Sequence, residues 1–573
     1  LGDRVAMSTV PNLFAVDRPA ERTPEPTPDL FRRLEQLNDI GAALSREKHI
    51  NALLEKILLA AKTITRADGG TLYLVEGEGS DQVLRFEIMH TASLDIAMGG
   101  TTGNPIPFYP IHLFKQGDPN TSMVAAFAAL TGQTVNIADA YTEEGFDFSG
   151  TRAFDQKTGY RSKSFLTVPM KNHEGEIIGV LQLINCQDPA TGEIVAFSPS
   201  DQRLAESLAS QAAIAITNRA LILQLEKLFE SFISMINQAI DEKSPYTGGH
   251  CQRVPQLTMM LAEAVNDTGD GPLADFRMSE KDRYELRIAG LLHDCGKITT
   301  PVHVVDKATK LETIFDRINL VDTRFELLRR DAEIDALTKK LELARSPGLD
   351  EMTRRGRTYE IDEELRETLR QVEEDRKFLR RCNIGAESMS KEEQDRVHHI
   401  GLSYKWRDPA GNTANFLTDD ELRNLTISRG TLTQEEREII NHHIVSTIRM
   451  LEALPWPKHL RNVPEYAGGH HERMDGKGYP RGLTRDQMSV QARVMGIADI
   501  FEALTAKDRP YKKGKTLSES LHILGKFKLN GHIDPDLFDV FIRRKVYMKY
   551  AEQFLDPDQI DKVDEARIPG YVP

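Results

Sequence analysis

The chain has 573 residues, more than one hydrophobic core organises, and its length suggests roughly three or four folding units. A composition of 40% hydrophobic and 28% charged residues is that of a soluble globular protein, and a net charge of -14 argues against the basic face of a partner for nucleic-acid polymers. No apolar run approaches the roughly 18 residues that cross a bilayer, and no signal-peptide pattern opens the chain, so a cytoplasmic location without membrane insertion is expected.

Residues 1–28, which include RPAERTPEPTPD, read as a disordered leader. Residues 29–197 mix helical and strand patterns. Leu34, Leu37, Ile40, Leu44, Leu53 and Leu54 mark a helical stretch, and strand-like runs follow at 71–75, 84–89, 165–170 and 177–184. The turn Asn172-His173-Glu174-Gly175 joins the last two runs as a hairpin, so an α+β domain with an antiparallel sheet and flanking helices is predicted. Residues 198–243 read as one long helix, with Ser198 as cap, Pro199 at the first position and Asp201 at the positive end. Leu221, Leu225, Leu228, Phe232, Met235 and Ala239 recur along it at 4-3 spacing. That stripe fits a coiled-coil connector between two copies, the reading we favour, or a face packed on its own domain.

Residues 244–573 form a mostly helical domain interrupted at about 312–428 by a charged insertion. Ile314, Ile318, Val321, Phe325 and Leu328 on one arm, and Leu365, Leu369, Val372 and Leu379 on the other, predict a protruding helical hairpin broken at Ser346-Pro347-Gly348. The chain has four cysteines and no CxxC pair, so they read as small buried hydrophobes in a reducing compartment.

Most of the 16 histidines lie after residue 240. His250 follows Tyr246-Thr247-Gly248-Gly249, His293-Asp294 ends an apolar helix, His442-His443 sit inside EREIINHHIVSTIRML, His470-His471 open HHERMDGKGYP, and Asp499 ends ARVMGIAD. A carboxylate on a buried face is costly unless it is paired or binds a metal, and imidazole is the commonest metal ligand. Each element is weak alone; together they indicate a metal centre.

The string HHERMDGKGYP, with His293-Asp294 upstream and ADIFEALTAKDRPYK downstream, resembles the HD-GYP family of cyclic di-GMP phosphodiesterases over roughly residues 240–548, apart from the insertion. The resemblance implies an all-α domain and a metal set of His250, His293, Asp294, His443, His470, His471 and Asp499, with Asp294 bridging. His442 is expected to be structural, and His303, His398 and His399 to lie on the surface. Family members with three metals resemble ETGNH where this chain has Tyr246, so two divalent ions are expected: Fe or Mn, with Zn or Ni as alternatives. Two further departures are the insertion, which follows DKATKLE, and the Lys507-Asp508 spacing before Arg509-Pro510-Tyr511, one residue longer than usual. Asp294 and Lys297 are the expected catalytic pair. Lys297 stands either near the scissile phosphate or in an ion pair with a ligand carboxylate. Arg509 and Lys512 match substrate-contacting positions, a surface salt bridge being the alternative. Gly478, Tyr479 and Pro480 are expected to shape a loop at the substrate site that also meets a diguanylate cyclase partner.

Residues 29–220, through the run from Asn136 to Asn185, resemble a GAF domain of the kind that binds cyclic nucleotides. Of that group's signature, Asn185, Phe197 and Asp201 match, while Cys186 replaces Lys and Gln202 replaces Glu. A cyclic nucleotide, another small ligand and a ligand-free dimerising role all stay open. The combined expectation is a homodimeric GAF-regulated hydrolase that turns cyclic di-GMP into pGpG or GMP, with cGAMP as an alternative cyclic dinucleotide. The rival is a catalytically silent effector or scaffold for a diguanylate cyclase.

Overall fold

The computed structural model describes residues 28–243, 249–385, 388–507 and 514–573. The expected leader, apart from Pro28, lies outside the described residues, as do Tyr246, Arg509 and Lys512. The chain divides into two compact units, Leu1–Leu228 and Phe229–Pro573. The division falls inside a single 45-residue helix, Pro199–Lys243.

The first unit is built on an antiparallel sheet. Its strands run in the order Ile96–Gly99, Val83–Thr91, Ala67–Glu76, Ile177–Gln187, Phe165–Lys171 and Val135–Ile137. Register places Ile88, Leu72, Leu181 and Val168 in one row across four strands. Opposed residues share a face, so this row buries one side of the sheet. Helix Ile50–Thr65 covers that side with Leu54, Ile57, Leu58 and Ala61, together with Leu204, Leu208 and Ala212 of the long helix. The predicted hairpin is present: the Asn172 carboxamide oxygen accepts N–H bonds from Glu174 and Glu176, and Gly175 takes a φ of +83°, which favours glycine.

The long helix starts where the sequence suggests. The Ser198 hydroxyl accepts from Asp201 N–H while the Asp201 carboxylate accepts from Ser198 N–H, a reciprocal cap. The stripe of Leu221, Leu225, Leu228, Phe232 and Met235 is exposed along its whole length.

In the second unit, Ile233 and Ile240 of this helix are buried in a core shared with helices His250–Asn266, Glu280–Leu292, Val490–Thr505, Leu517–Leu529 and Pro535–Arg543. The insertion is more than a solvated arm. Helices Ile318–Arg345 and Glu351–Asn383 form the predicted hairpin, but its base has its own core: Val321, Phe325, Leu379, Val397, Ile400, Phe416 and Leu425. The first arm begins at Ile318, and Ile314 stands outside it, 96% exposed. Among the described residues no helix is long and apolar enough to cross a membrane.

Candidate metal centre

Five segments of the second unit bring the seven nominated side chains together. His250 opens helix His250–Asn266. Helix Glu280–Leu292 begins at a capping box, Ser279 with Asp282, and buries Leu286, Ile288, Ala289 and Leu292. Its exit residues, His293 and Asp294, therefore emerge inside the protein and lead into the tight turn Cys295–Thr299. His443 projects from helix Gln434–Glu452, His470 and His471 follow helix Val463–Gly468, and Asp499 lies in helix Val490–Thr505. Gly296 allows the convergence: a Cβ there would stand 2.0 Å from the His443 carbonyl oxygen and 2.6 Å from Thr447 N. Only glycine lets the turn lie against the His443 helix.

His250, His293 and Asp294 each bring a ligand atom within 4.8 Å of one another, and so do His443, His470 and His471. Asp294 joins the groups. Its Oδ2 is 3.2 Å from His250 Nε2 and 3.3 Å from His293 Nε2, while its Oδ1 is 3.3 Å from His443 Nε2. Asp499 Oδ1 is 3.2 Å from His250 Nε2, and the Nε2 atoms of His443 and His471 are 3.2 Å apart.

The remaining ring nitrogens explain the orientation. Nδ1 of His293 bonds to Gly290 O at 2.7 Å, that of His443 to Ile440 O, and that of His470 to Ala467 O at 2.6 Å. A carbonyl only accepts, so each Nδ1 carries a proton and each ring turns its Nε2 inward, the nitrogen that ligates when the ring is neutral. His250 Nδ1 bonds instead to the Glu502 carboxylate, which is fully buried and also accepts from Arg253 Nε at 2.7 Å. His470 Nε2 and Asp294 Oδ1 are buried with no hydrogen-bond donor. A buried ring nitrogen and a buried carboxylate oxygen left without a donor are costly unless positive charge lies between them, so this donor set fits divalent cations.

Burial, then the neighbouring His293, pushes His470 down to about 4, and burial with His470 beside it holds His471 well below the usual imidazole range. Both are neutral and ready to ligate at pH 7. Burial favours a protonated Asp294, but Lys297 and His293 outweigh it and the carboxyl stays well below its ordinary value. Lys297 Nζ donates to Asp294 Oδ2 at 2.6 Å, and that charge, against burial, raises the lysine. Lys297 thus forms an ion pair with the Asp294 carboxylate.

Tyr479 stacks on His471 with ring centroids 4.9 Å apart and 22° between planes. Gly478 is required by close approach, since a Cβ would stand 2.4 Å from Arg473 N and 2.5 Å from Glu472 Cα. Glu472 then clamps the loop past Pro480, accepting N–H bonds from Arg481 at 2.7 Å and Leu483 at 2.9 Å. His303, His398 and His399 are exposed, as expected, and so is His442, which was expected to be structural. Sequence reasoning missed Glu502 and the role of Glu472. Glu502 had a signal: it follows Asp499 by three residues on one helix, and a buried glutamate needs a partner.

The nominated residues of the first unit are placed differently. Asn185, at φ +59°, accepts from Lys163 N–H and Ser164 N–H and donates to Arg161 O. Phe197 is buried in the helix-side core. Asp201 caps the long helix and pairs with Arg33, both nearly fully buried. All three are engaged within the fold.

A model of the GAF domain matches residues 49–216, and two models of the HD domain match 247–380 and 418–537. The chain joins a GAF domain to an HD domain. The GAF and HD domains expected from the sequence are thus borne out. The chain is 38% identical over 114 residues to a cyclic di-GMP phosphodiesterase of Pseudomonas aeruginosa, covering 20% of this chain and 26% of that one. It is 44% identical over 81 residues to a 3'3'-cGAMP-specific phosphodiesterase of Vibrio cholerae, covering 14% and 19%. It is 30% identical over 216 residues to a dual 3',5'-cyclic-AMP and -GMP phosphodiesterase of Takifugu rubripes, covering 37% and 21%. The chain therefore spans about a quarter or less of the length of these relatives.

Proposed function

We propose that the HD domain hydrolyses cyclic di-GMP, to pGpG or onward to GMP, at a binuclear metal centre of His250, His293, Asp294, His443, His470, His471 and Asp499. The observation that carries this reading is the Asp294 carboxylate, with one oxygen turned to His250 and His293 and the other to His443. Mixed imidazole and carboxylate ligands favour Fe or Mn, with Zn or Ni also compatible. Two such ions would bind phosphoryl oxygens and lower the pKa of the attacking water.

The chain's own groups do the rest. Carbonyl tethers aim the imidazoles, Glu502 aims His250, and Lys297 supplies a retained positive charge beside the bridging carboxylate. The loop of Gly478, Tyr479 and Pro480, stacked on His471, forms one wall for substrate and a surface for a diguanylate cyclase. Arg509 and Lys512, outside the described residues, would hold phosphate or guanine edges. Residues 29–197 act as sensor, 198–243 as connector and 244–573 as hydrolase. The exposed stripe Leu221–Met235 supports homodimerisation along the connector, and the protein works in the cytoplasm.

Anaerobically purified protein assayed for cyclic di-GMP and 3'3'-cGAMP turnover, with metal measured on the same sample, tests the reading. Turnover with about two metals per chain is expected. Metal-loaded protein that binds a cyclic dinucleotide without cleaving it would sink it in favour of a silent effector.

A further inference from the structure

The long helix ends beside the metal-centre turn, and its last residue reaches into it. Lys243 closes helix Pro199–Lys243, and its ammonium donates to the carbonyl oxygens of Lys297, at 3.3 Å, and Ile298. Lys297 O also accepts from Thr300 N–H at 3.1 Å, so the ammonium adds a second donor there and a charged donor to Ile298 O at the exposed end of the turn. The turn Cys295–Thr299 is thereby held from two sides. Thr447 Oγ accepts from Gly296 N–H at 2.9 Å on one, and Lys243 holds the Lys297 and Ile298 carbonyls on the other. Lys297, the residue whose carbonyl is gripped, donates its own Nζ to Asp294 Oδ2 at 2.6 Å.

The same helix holds other ligand-bearing elements of the second unit. Glu230 pairs at 2.5 Å with Arg287 of helix Glu280–Leu292, which delivers His293. Phe229 packs edge-on against Trp456, whose indole N–H donates at 2.7 Å to Leu451 O, on the helix that delivers His443. Of these grips, Lys243 acts nearest the bridging carboxylate.

We propose that Lys243 is a positioning residue: by gripping the Lys297 and Ile298 carbonyls it sets the Lys297–Asp294 pair, and so makes the seat of the connecting helix an input to the metal bridge. The inference rests on the hydrolase reading above. An ångström of misplacement at a reacting centre costs on the order of a hundredfold in rate, which sets the scale of the effect.

The test uses the full chain and the variants Lys243→Met and Lys243→Arg. For Lys243→Met, kcat is expected to fall about ten- to a hundredfold with KM and metal content unchanged, and the guanidinium of Lys243→Arg, which can donate to both carbonyls, is expected to restore most of it. Wild-type kcat in folded, metal-loaded Lys243→Met would overturn the proposal, as would an equal loss in Lys243→Arg. The visible spectrum of cobalt(II)-loaded protein reads the Asp294 environment without turnover. Its bands should shift in Lys243→Met and return in Lys243→Arg, and unchanged bands overturn the inference even if the wild-type protein hydrolyses nothing. Should Lys243→Met fail to fold, Lys243→Gln, which is neutral and one atom too short to reach both carbonyls, takes its place with the same expected loss.

Discussion

Two sets of buried polar side chains, one in each domain, are used in opposite ways. In the GAF domain, Asn185 and Asp201 fill their hydrogen-bonding capacity with backbone amides, a cap and an arginine. In the HD domain, His470 Nε2 and Asp294 Oδ1 are as deeply buried and have no donor at all. Burial without a partner is costly, so such groups persist where something outside the chain completes them. The satisfied groups serve the architecture, and the unsatisfied cluster marks the candidate metal site.

The sharpest way to break this contrast is Asp294→Ala. Removing the bridge should abolish most metal binding and lower turnover at least about a thousandfold, read by metal analysis and steady-state kinetics. Retention of both metals would end the bridging assignment. On the other side, Asp201→Ala leaves Arg33 buried without its partner. It should cost about 3–5 kcal/mol of stability while metal content per folded chain is unchanged, measured by denaturation and metal analysis. Loss of metal instead would mean that the two domains do not divide the work as described. Gly296→Ala drives a Cβ into backbone of the His443 helix and should destabilise by about 1–3 kcal/mol, with metal retention falling alongside. The smallest effect is expected from Glu502→Gln. It preserves the packing around His250 while weakening its orientation, for about a 10–100-fold loss of metal affinity in a chelator competition.

Much of the candidate metal centre was legible because such chemistry needs residue types that are costly elsewhere: His293-Asp294 at the end of an apolar helix, and a histidine pair before a glycine-rich loop. The sheet was legible because alternation and the Asn172 turn are local signals. What sequence did not show depends on backbone geometry that only the fold creates. The carbonyl of Ala467 that turns the His470 ring is one case, and the Glu502 carboxylate that takes the other nitrogen of His250 is another. The insertion was read as an arm because heptad spacing along Val321 and Phe325 shows the hairpin. Its core also needs Val397, Ile400 and Phe416, which lie far along the chain and carry no matching period. The same limit applies to Asn185 and Asp201: the signature positions could be matched, but whether their side chains are already consumed depends on Lys163, Ser164 and Arg33, brought in by folding.

The insertion leaves and rejoins the HD domain at nearly one point, since Thr431 Oγ donates to Lys307 O at 3.0 Å. The intervening 308–430 hold a hydrophobic centre of their own and form a detour whose two ends already meet. Joining such ends through a short tether demands little closure entropy, and lengthening the detour adds only slowly to that cost. Such a segment is expected to tolerate a change in its length, as a cassette would, while the helices that carry the histidines keep their places.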